Sequence, residues 1–329
     1  MHAIITAVGH YVPEKKLTNK DLEQMVDTND EWITTRTGIR ERRILEKDKG
    51  TSYMAVEAAK MVLSQRKISA ADLDLIIVAT TTPDMMVPPT AALVQKELKA
   101  VNCWGFDLNG ACSGFLFALA TGAQFIESGR HRKVLVIGAD KMSAIIDYQD
   151  RNTCILFGDA GGAVLLEPTR DEDLGVKDFT LRLDGSGSDS LRIAAGGSLV
   201  PTTHETVANR MHYLYQDGKT VFKFAVNGMT EVVTEILENN SLNGSDIKLF
   251  IPHQANFRII DAVAKKIGLR PDQVMLNIEK YGNTTAATIP LAMSEAYQQR
   301  LMQKGDWIVI AAFGAGFTWG SLLLKWAID

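Results

Sequence analysis

The chain is poor in the features that would assign it to several common classes. It has three cysteines in 329 residues, Cys103, Cys112 and Cys154. They form no CxxC pair and have no histidine at metal-ligand spacing, which argues against a zinc site or a disulfide framework and fits a reducing cytosol. Basic residues are not in excess: 35 Lys and Arg against 39 Asp and Glu give a formal net charge of −4. Nucleic acid, whose phosphates require a basic surface, is therefore not expected as the main ligand. Apolar runs such as WIVIAAFGAGF fall short of the roughly 18 residues needed to span a bilayer. The N-terminal MHAIITAVGHYVPEKK lacks a cationic stretch followed by a long apolar core, and reads as a first strand rather than a signal peptide. A cytoplasmic protein that neither enters a membrane nor binds nucleic acid is the expectation.

What is present is a large core. At 46% hydrophobic and 22% charged residues, the composition is that of a soluble globular protein of about two domains. Residues 17–35 read as a capped helix, with Thr18 or Asn19 as N-cap, and a second short helical stretch. From residue 51 helices and strands alternate: a helix over about 52–65, the strand LIIVATTTPD, a helix over about 90–99, a strand and helix around Cys112, and the strand KVLVIGAD. That order predicts an α/β fold with buried strands. The second half then repeats the first. SAADLDLIIVATTTPD is matched by NGSDIKLFIPHQANF, KVLVIGAD by DWIVIAAFG, and FGDAGGAVLL by FGAGFTWGSLLL, in the same order. Two similarly folded halves, 1–172 and 173–329, follow, with LDGSGSDSLRIAAGGSLVPTTHE in an early hairpin and loop of the second.

The stretch around Cys112, VNCWGFDLNGACSGFLFALATGAQFIES, reads as strand, tight turn and buried helix. A cysteine at the first turn of that helix faces unpaired N–H groups and the positive end of the helix dipole, which favour thiolate. It is either a mounted nucleophile or a small core residue under a glycine-rich turn. If a pseudo-twofold axis relates the halves, equivalent strand ends converge near it. The second half offers YGNTTAA with Asn283 and IPHQAN with His253 at such ends. Singly these are an ordinary turn residue and a core or cap histidine. Together with Cys112 they form a set in which a thiolate takes an acyl group from a thioester while His253 Nε2 and the Asn283 amide stabilise an enolate. The loop TRTGIRERRI puts Arg36, Arg40, Arg42 and Arg43 within eight positions. It is either a solvated charged loop or an anion-binding edge, with Trp32 nearby as a stacking platform.

The segments DTNDEWITTRTGIRERR, DLNGACSGF, IPHQAN, YGNTTAATIP and FGAGFTWG resemble, in order and over nearly the whole length, the thiolase-like family and within it the β-ketoacyl-acyl-carrier-protein synthase III group. The resemblance implies a thiolase-like five-layered αβαβα fold made of two duplicated halves, a homodimer, and the decarboxylative condensation that initiates type II fatty-acid synthesis. It implies that acyl-CoA loads Cys112, with the oxyanion held by the N–H groups of Cys112 and Ala315. Malonyl-acyl-carrier-protein then loses CO₂ at His253 and Asn283, and no metal or redox cofactor takes part. Trp32 and Arg151 correspond to the pair that sandwiches the CoA adenine, Arg36 to a phosphate contact, and Asn256 to a residue of the pantetheine channel. Arg258, with Lys265 and Lys266 on the same helix, is implied to meet the acidic carrier protein. Alanine at 315, where the family commonly has glycine, keeps its backbone donor. At Val87, where some members place a bulky aromatic that closes the acyl pocket across the dimer interface, valine leaves room for a primer longer or more branched than acetyl.

Relatives of this family are separable on the same residues. Thiolases use a second cysteine in the C-terminal glycine-rich loop, and FGAGFTWG has none; elongating synthases carry histidine in place of Asn283. Plant-type polyketide synthases share Cys, His and Asn but not the RTGI loop. A papain-like hydrolase or acyltransferase would not need the duplicated α/β pattern. A nucleotide-binding module would need GxGxxG spacing or a Walker lysine, and neither glycine-rich stretch has them. A related condensing enzyme of specialised metabolism, with another acceptor, stays open.

Overall fold

Two apolar runs become the inner strands of a sheet. Leu75–Ala79 and Val134–Asp140 are buried at every residue, as strands covered on both faces must be. The computed structural model, which describes residues 1–329, pairs them in parallel. The first sheet runs His2–Tyr11, Ala160–Thr169, Val134–Asp140, Leu75–Ala79, Trp104–Leu108. The second runs Gly175–Leu183, Thr318–Lys325, Trp307–Gly314, Leu249–Pro252, and a single bridge from Phe250 to Val274 stands where a fifth strand would be. The strand order is the same in both. The glycine-rich FGDAGGAVLL lies largely in the buried strand Ala160–Thr169, where glycine permits close packing and no nucleotide turn forms.

Five layers follow from which faces are apolar. The helices Gly114–Glu127 and Thr288–Gln298 are apolar nearly all round, as helices between two sheets must be. Their Phe115, Leu119, Ile289 and Met293 share one core with Leu75 and Ile251 of the opposed sheets. Helices Thr51–Arg66 and Thr90–Leu98 cover the outer face of the first sheet, and Gly218–Asn239 and Phe257–Lys266 that of the second. The αβαβα architecture expected from the sequence is thus the observed one. Residues 170–174 join the two sheets. The polar stretch after Leu183 returns as a small hairpin, Leu191–Ile193 against Leu214–Gln216. No helix is long and apolar enough to cross a membrane.

The duplication is registered residue by residue. Leu75 pairs with Val134 as Leu249 pairs with Ile308, and the spacing from Leu75 to Asn109, Cys112 and Asp140 equals that from Leu249 to Asn283, Ala286 and Gly314. The counterpart of Asn283 is therefore Asn109, and Cys112 answers to Ala286. Cys112 and Asn283 sit on equivalent turns but not at equivalent positions.

The turn that carries Asn283 presses on the first sheet at Gly138, where a Cβ would come within 2.1 Å of the Ala286 carbonyl oxygen. Gly138→Ala is expected to lower stability by about 3 kcal/mol, the upper range for overpacking, read as a fall in Tm in a thermal melt. An unchanged Tm would mean that the turn can back away from the sheet.

Candidate active site

The cysteine turn is built locally and clamped remotely. After Leu108 the chain turns through Ala111 at φ 50°, with Asn109 Oδ1 accepting the Ala111 N–H at 3.2 Å. Cys112 lies in a single 3₁₀ turn, Ala111–Ser113, immediately before the helix Gly114–Glu127, rather than inside the first α-helical turn. The other half fixes this turn: Thr318 Oγ1 donates to Gly110 O at 2.9 Å and Ser113 Oγ donates to Thr318 O at 3.0 Å. Gly314 gives it room, since a Cβ there would lie 2.7 Å from Cys112 N.

Asn283 repeats the arrangement. Its Oδ1 accepts the Thr285 N–H at 2.9 Å, so the amide's Nδ2 is the end left to donate. Its backbone is held by the first half, N–H to Leu156 O at 2.8 Å and O from Gly158 N–H at 3.0 Å. His253 follows the strand Leu249–Pro252 and its N–H donates to Ala311 O at 2.8 Å. Gln254 locks the loop behind it, with Nε2 donating to Pro252 O and Met275 O and Oε1 accepting from the N–H groups of Asn277 and Ile278.

Cys112, His253 and Asn283 all face one cavity of about 470 Å³. All three are buried, and burial sets their charge. His253 Nδ1 has no partner, and desolvation lowers the imidazole pKa to about 3, because burial penalises the cation and no carboxylate offsets that penalty. The ring is neutral, and the tautomer with the proton on Nε2 leaves only an acceptor unpaired and presents a donor to the cavity. Burial, followed by the negative charge of Asp140, pushes the Cys112 thiol up to about 12. Burial and the Asp140 charge thus work against the thiolate that the sequence reading expected at the helix terminus.

The remaining candidates divide. Ala315 lines the cavity, and its N–H has no hydrogen-bond partner within the chain. Trp32 carries the Arg36 guanidinium 4.7 Å and the Arg151 guanidinium 4.5 Å from its ring centroid, while Arg151 also donates to Asp27 O at 2.8 Å. Arg42 does not belong to an anion-binding edge: it is fully buried and donates to Leu17 O, Asn19 Oδ1 and Ile155 O. Arg43 turns to Pro13 O, so only Arg36 and Arg40 of that loop are exposed. Asn256 is the N-cap of Phe257–Lys266, its Oδ1 accepting the Arg258 N–H at 2.8 Å; the neighbouring Ala255 and Ile259 reach the cavity instead. Arg258, Lys265 and Lys266 are exposed on that helix opposite the buried Ile259, Ile260 and Val263. Lys265 is paired with Asp261 and Lys266 reaches Asn227. Val87 is 82% exposed and takes no part in the cavity wall of a single chain.

Sequence reasoning missed Asp140 and Thr285, which meet under the Asn283 turn. The signal was available as a break in the repeat, KVLVIGAD ending in Asp where DWIVIAAFG ends in Gly. It also missed the cavity walls formed by Leu191 and Leu214 of the small hairpin and by Val221 and Met229 of the helix Gly218–Asn239.

Two stacked α/β halves whose cysteine and asparagine turns meet beside a histidine define a thiolase-like condensing fold. The family model described as 3-oxoacyl-[acyl-carrier-protein (ACP)] synthase III matches residues 106–185, and its C-terminal counterpart matches 237–326. The β-ketoacyl-[acyl-carrier-protein] synthase III of Chlorobium phaeovibrioides is 55% identical over 328 residues, 99% of this chain and 100% of that one. The crystal structure of 3-oxoacyl-[acyl-carrier-protein] synthase III from Aquifex aeolicus superposes with a TM-score of 0.91 at 44% identity, covering 98% of this chain and 100% of that one. The priming β-ketosynthase of the R1128 polyketide pathway gives 0.92 at 34% identity, covering 99% and 96%. The chain belongs to the β-ketoacyl-[acyl-carrier-protein] synthase III family.

A pKa held near 3, below the ordinary 6.5, means that His253 gains no proton as pH falls from 8 to 5.5. Its imidazole resonances, assigned by loss in His253→Asn, should stay constant over that range. A titration with a midpoint near 6.5 would show that the buried ring charges.

Proposed function

We propose that the chain condenses an acyl-CoA primer with malonyl-acyl-carrier-protein to give a β-ketoacyl-acyl-carrier-protein, the initiating step of type II fatty-acid synthesis in the cytosol. The observation that carries this reading is the convergence of Cys112, His253 and Asn283 on one cavity, in a chain of this family. In the first stage Cys112 Sγ attacks the thioester carbonyl. The oxyanion takes the N–H groups of Cys112 and Ala315, CoA leaves as its thiol, and the proton lost from Cys112 ends on the CoA sulfur. In the second stage the malonyl carbon–carboxylate bond breaks and CO₂ departs. The electron pair forms an enolate whose oxygen accepts from His253 Nε2–H and Asn283 Nδ2–H, donors worth about 3–4 kcal/mol each where such groups have been removed. The enolate carbon attacks the acyl carbonyl, and Cys112 leaves as a thiolate that takes a proton from solvent, so that one proton is consumed per cycle. No step calls on a metal or redox group.

The CoA adenine is assigned to Trp32 and Arg151, with Arg36 on a phosphate and Asn256 beside the pantetheine arm. The carrier protein is assigned to Arg258, Lys265 and Lys266, of which only Arg258 has no partner of its own. A homodimer is supported by the uncovered edge strand Trp104–Leu108, whose Trp104 is 50% exposed, and by the exposed Val87 loop, which could reach an acyl pocket only across such an interface. Priming of a specialised pathway with another acceptor is the second reading, favoured by the likeness to the R1128 ketosynthase.

Intact-protein mass after incubation with acetyl-, longer and branched acyl-CoAs should show an acyl-sized gain that Cys112→Ser lacks, discharged with CO₂ release on adding malonyl-acyl-carrier-protein. Loading that favours chains beyond acetyl is expected from Val87; a flat preference for acetyl would remove that role, and no loading at all would bring the second reading forward. Arg258→Glu should raise the KM for malonyl-acyl-carrier-protein about tenfold, near 1.4 kcal/mol, while acyl-CoA loading stays within twofold. An equal loss in both would place Arg258 on the CoA side.

A further inference from the structure

Asp140 has no counterpart in the other half, where Gly314 occupies the equivalent place. Its carboxylate is fully buried, and its partners are hydroxyls and backbone N–H groups. Oδ1 accepts from the hydroxyls of Thr80, Thr81 and Thr82 and from the Thr81 and Thr82 N–H groups at 2.8–3.1 Å. Oδ2 accepts from Thr285 Oγ1 and from the Ala286 N–H at 3.1 Å. These donors offset the cost of burying the carboxylate, and the carboxylate in turn fixes the donors in place.

The second observation concerns the backbone. Thr285 stands at φ 50°, a left-handed conformation that a β-branched residue adopts only when its surroundings impose it. The equivalent strained position in the first half is Ala111, also at φ 50°, which has no branched side chain to accommodate. Thr285 is tied at both ends: its hydroxyl to Asp140, and its N–H to Asn283 Oδ1 at 2.9 Å. A continuous chain therefore runs from the Asp140 carboxylate through Thr285 to the Asn283 amide; the matching bond from Ala111 to Asn109 Oδ1 is longer, at 3.2 Å, and has no such anchor behind it.

We propose that Asp140 is a positioning residue for the second half-reaction, acting through Thr285 to hold the Asn283 amide toward the enolate. This rests on the condensation proposed above. It separates the two stages, because the acyl transfer to Cys112 does not use Asn283. The same charge that fixes the amide opposes ionisation of the Cys112 thiol, so removing it should affect the two stages in different directions.

The test measures both on wild type, Asp140→Asn, Thr285→Ala and Thr285→Ser: acyl loading from acyl-CoA by intact mass, and CO₂ release from malonyl-acyl-carrier-protein. Asp140→Asn and Thr285→Ala are expected to load as fast as wild type or faster and to release CO₂ at least about tenfold more slowly, the order of loss for a group displaced by a fraction of an ångström. Thr285→Ser, which keeps the hydroxyl, should restore the release. A chain carrying both Asp140→Asn and Thr285→Ala should be no slower than the slower single, since both changes cut one chain. Equal loss of both stages, or wild-type CO₂ release in Asp140→Asn, would overturn the proposal. Should Asp140→Asn fail to fold, the contrast between Thr285→Ala and Thr285→Ser decides: equal rates overturn it. A wild type that neither loads nor releases CO₂ would overturn the condensation reading itself and this proposal with it.

Discussion

Two tight turns lie back to back in the middle of the molecule, and most of what surrounds them serves to keep them there. Each is fastened to the half it does not belong to, Cys112 through Thr318 and Asn283 through Leu156 and Gly158. Each is admitted by a glycine in the neighbouring strand, Gly314 in one case and Gly138 in the other. The helices that leave these turns are clamped between the sheets in a common core, so neither turn can shift without disturbing both halves. The site is the seam of a duplication, and its rigidity is the rigidity of the whole interior.

The second constraint is desolvation. The cavity wall buries both side chains, which keeps His253 neutral and Cys112 protonated. It thereby stores little charge at rest and leaves its donors unspent. An oxyanion or enolate formed there meets N–H groups already in place and pays no reorganisation. The lowered imidazole pKa and the raised thiol pKa both come first from burial, to which the Asp140 charge adds at the thiol.

Much of this was legible in the order of residues. Buried strands read as unbroken apolar runs, and the helices 51–66 and 90–98 were visible to within a residue or two. The repeat exposed the strand ends at which Cys112, His253 and Asn283 lie. What could not be read was where charge would be buried. Arg42 and Arg43 look like their exposed neighbours Arg36 and Arg40, because strand pairing across Lys16–Thr18 and Glu41–Arg43 decides which arginine turns inward. The capping of Phe257–Lys266 by Asn256 was not read from the sequence, since a short polar residue before a helix is as common in a loop as at a cap. The exact pairing of the turns, with Cys112 opposite Ala286 and Asp140 opposite Gly314, needed the strand register as well as the repeat.

The contact of Arg151 with Trp32 has a bearing on turnover. The guanidinium already lies 4.5 Å from the ring centroid, so any flat ring that enters between them must first part an internal stack and then make two of its own. The free energy of holding it is the difference between those states, and the original contact is ready to close again behind a departing guest. Such a slot favours exchange over retention. For the adenine proposed to enter this slot, the ready return of the internal stack works against tight retention.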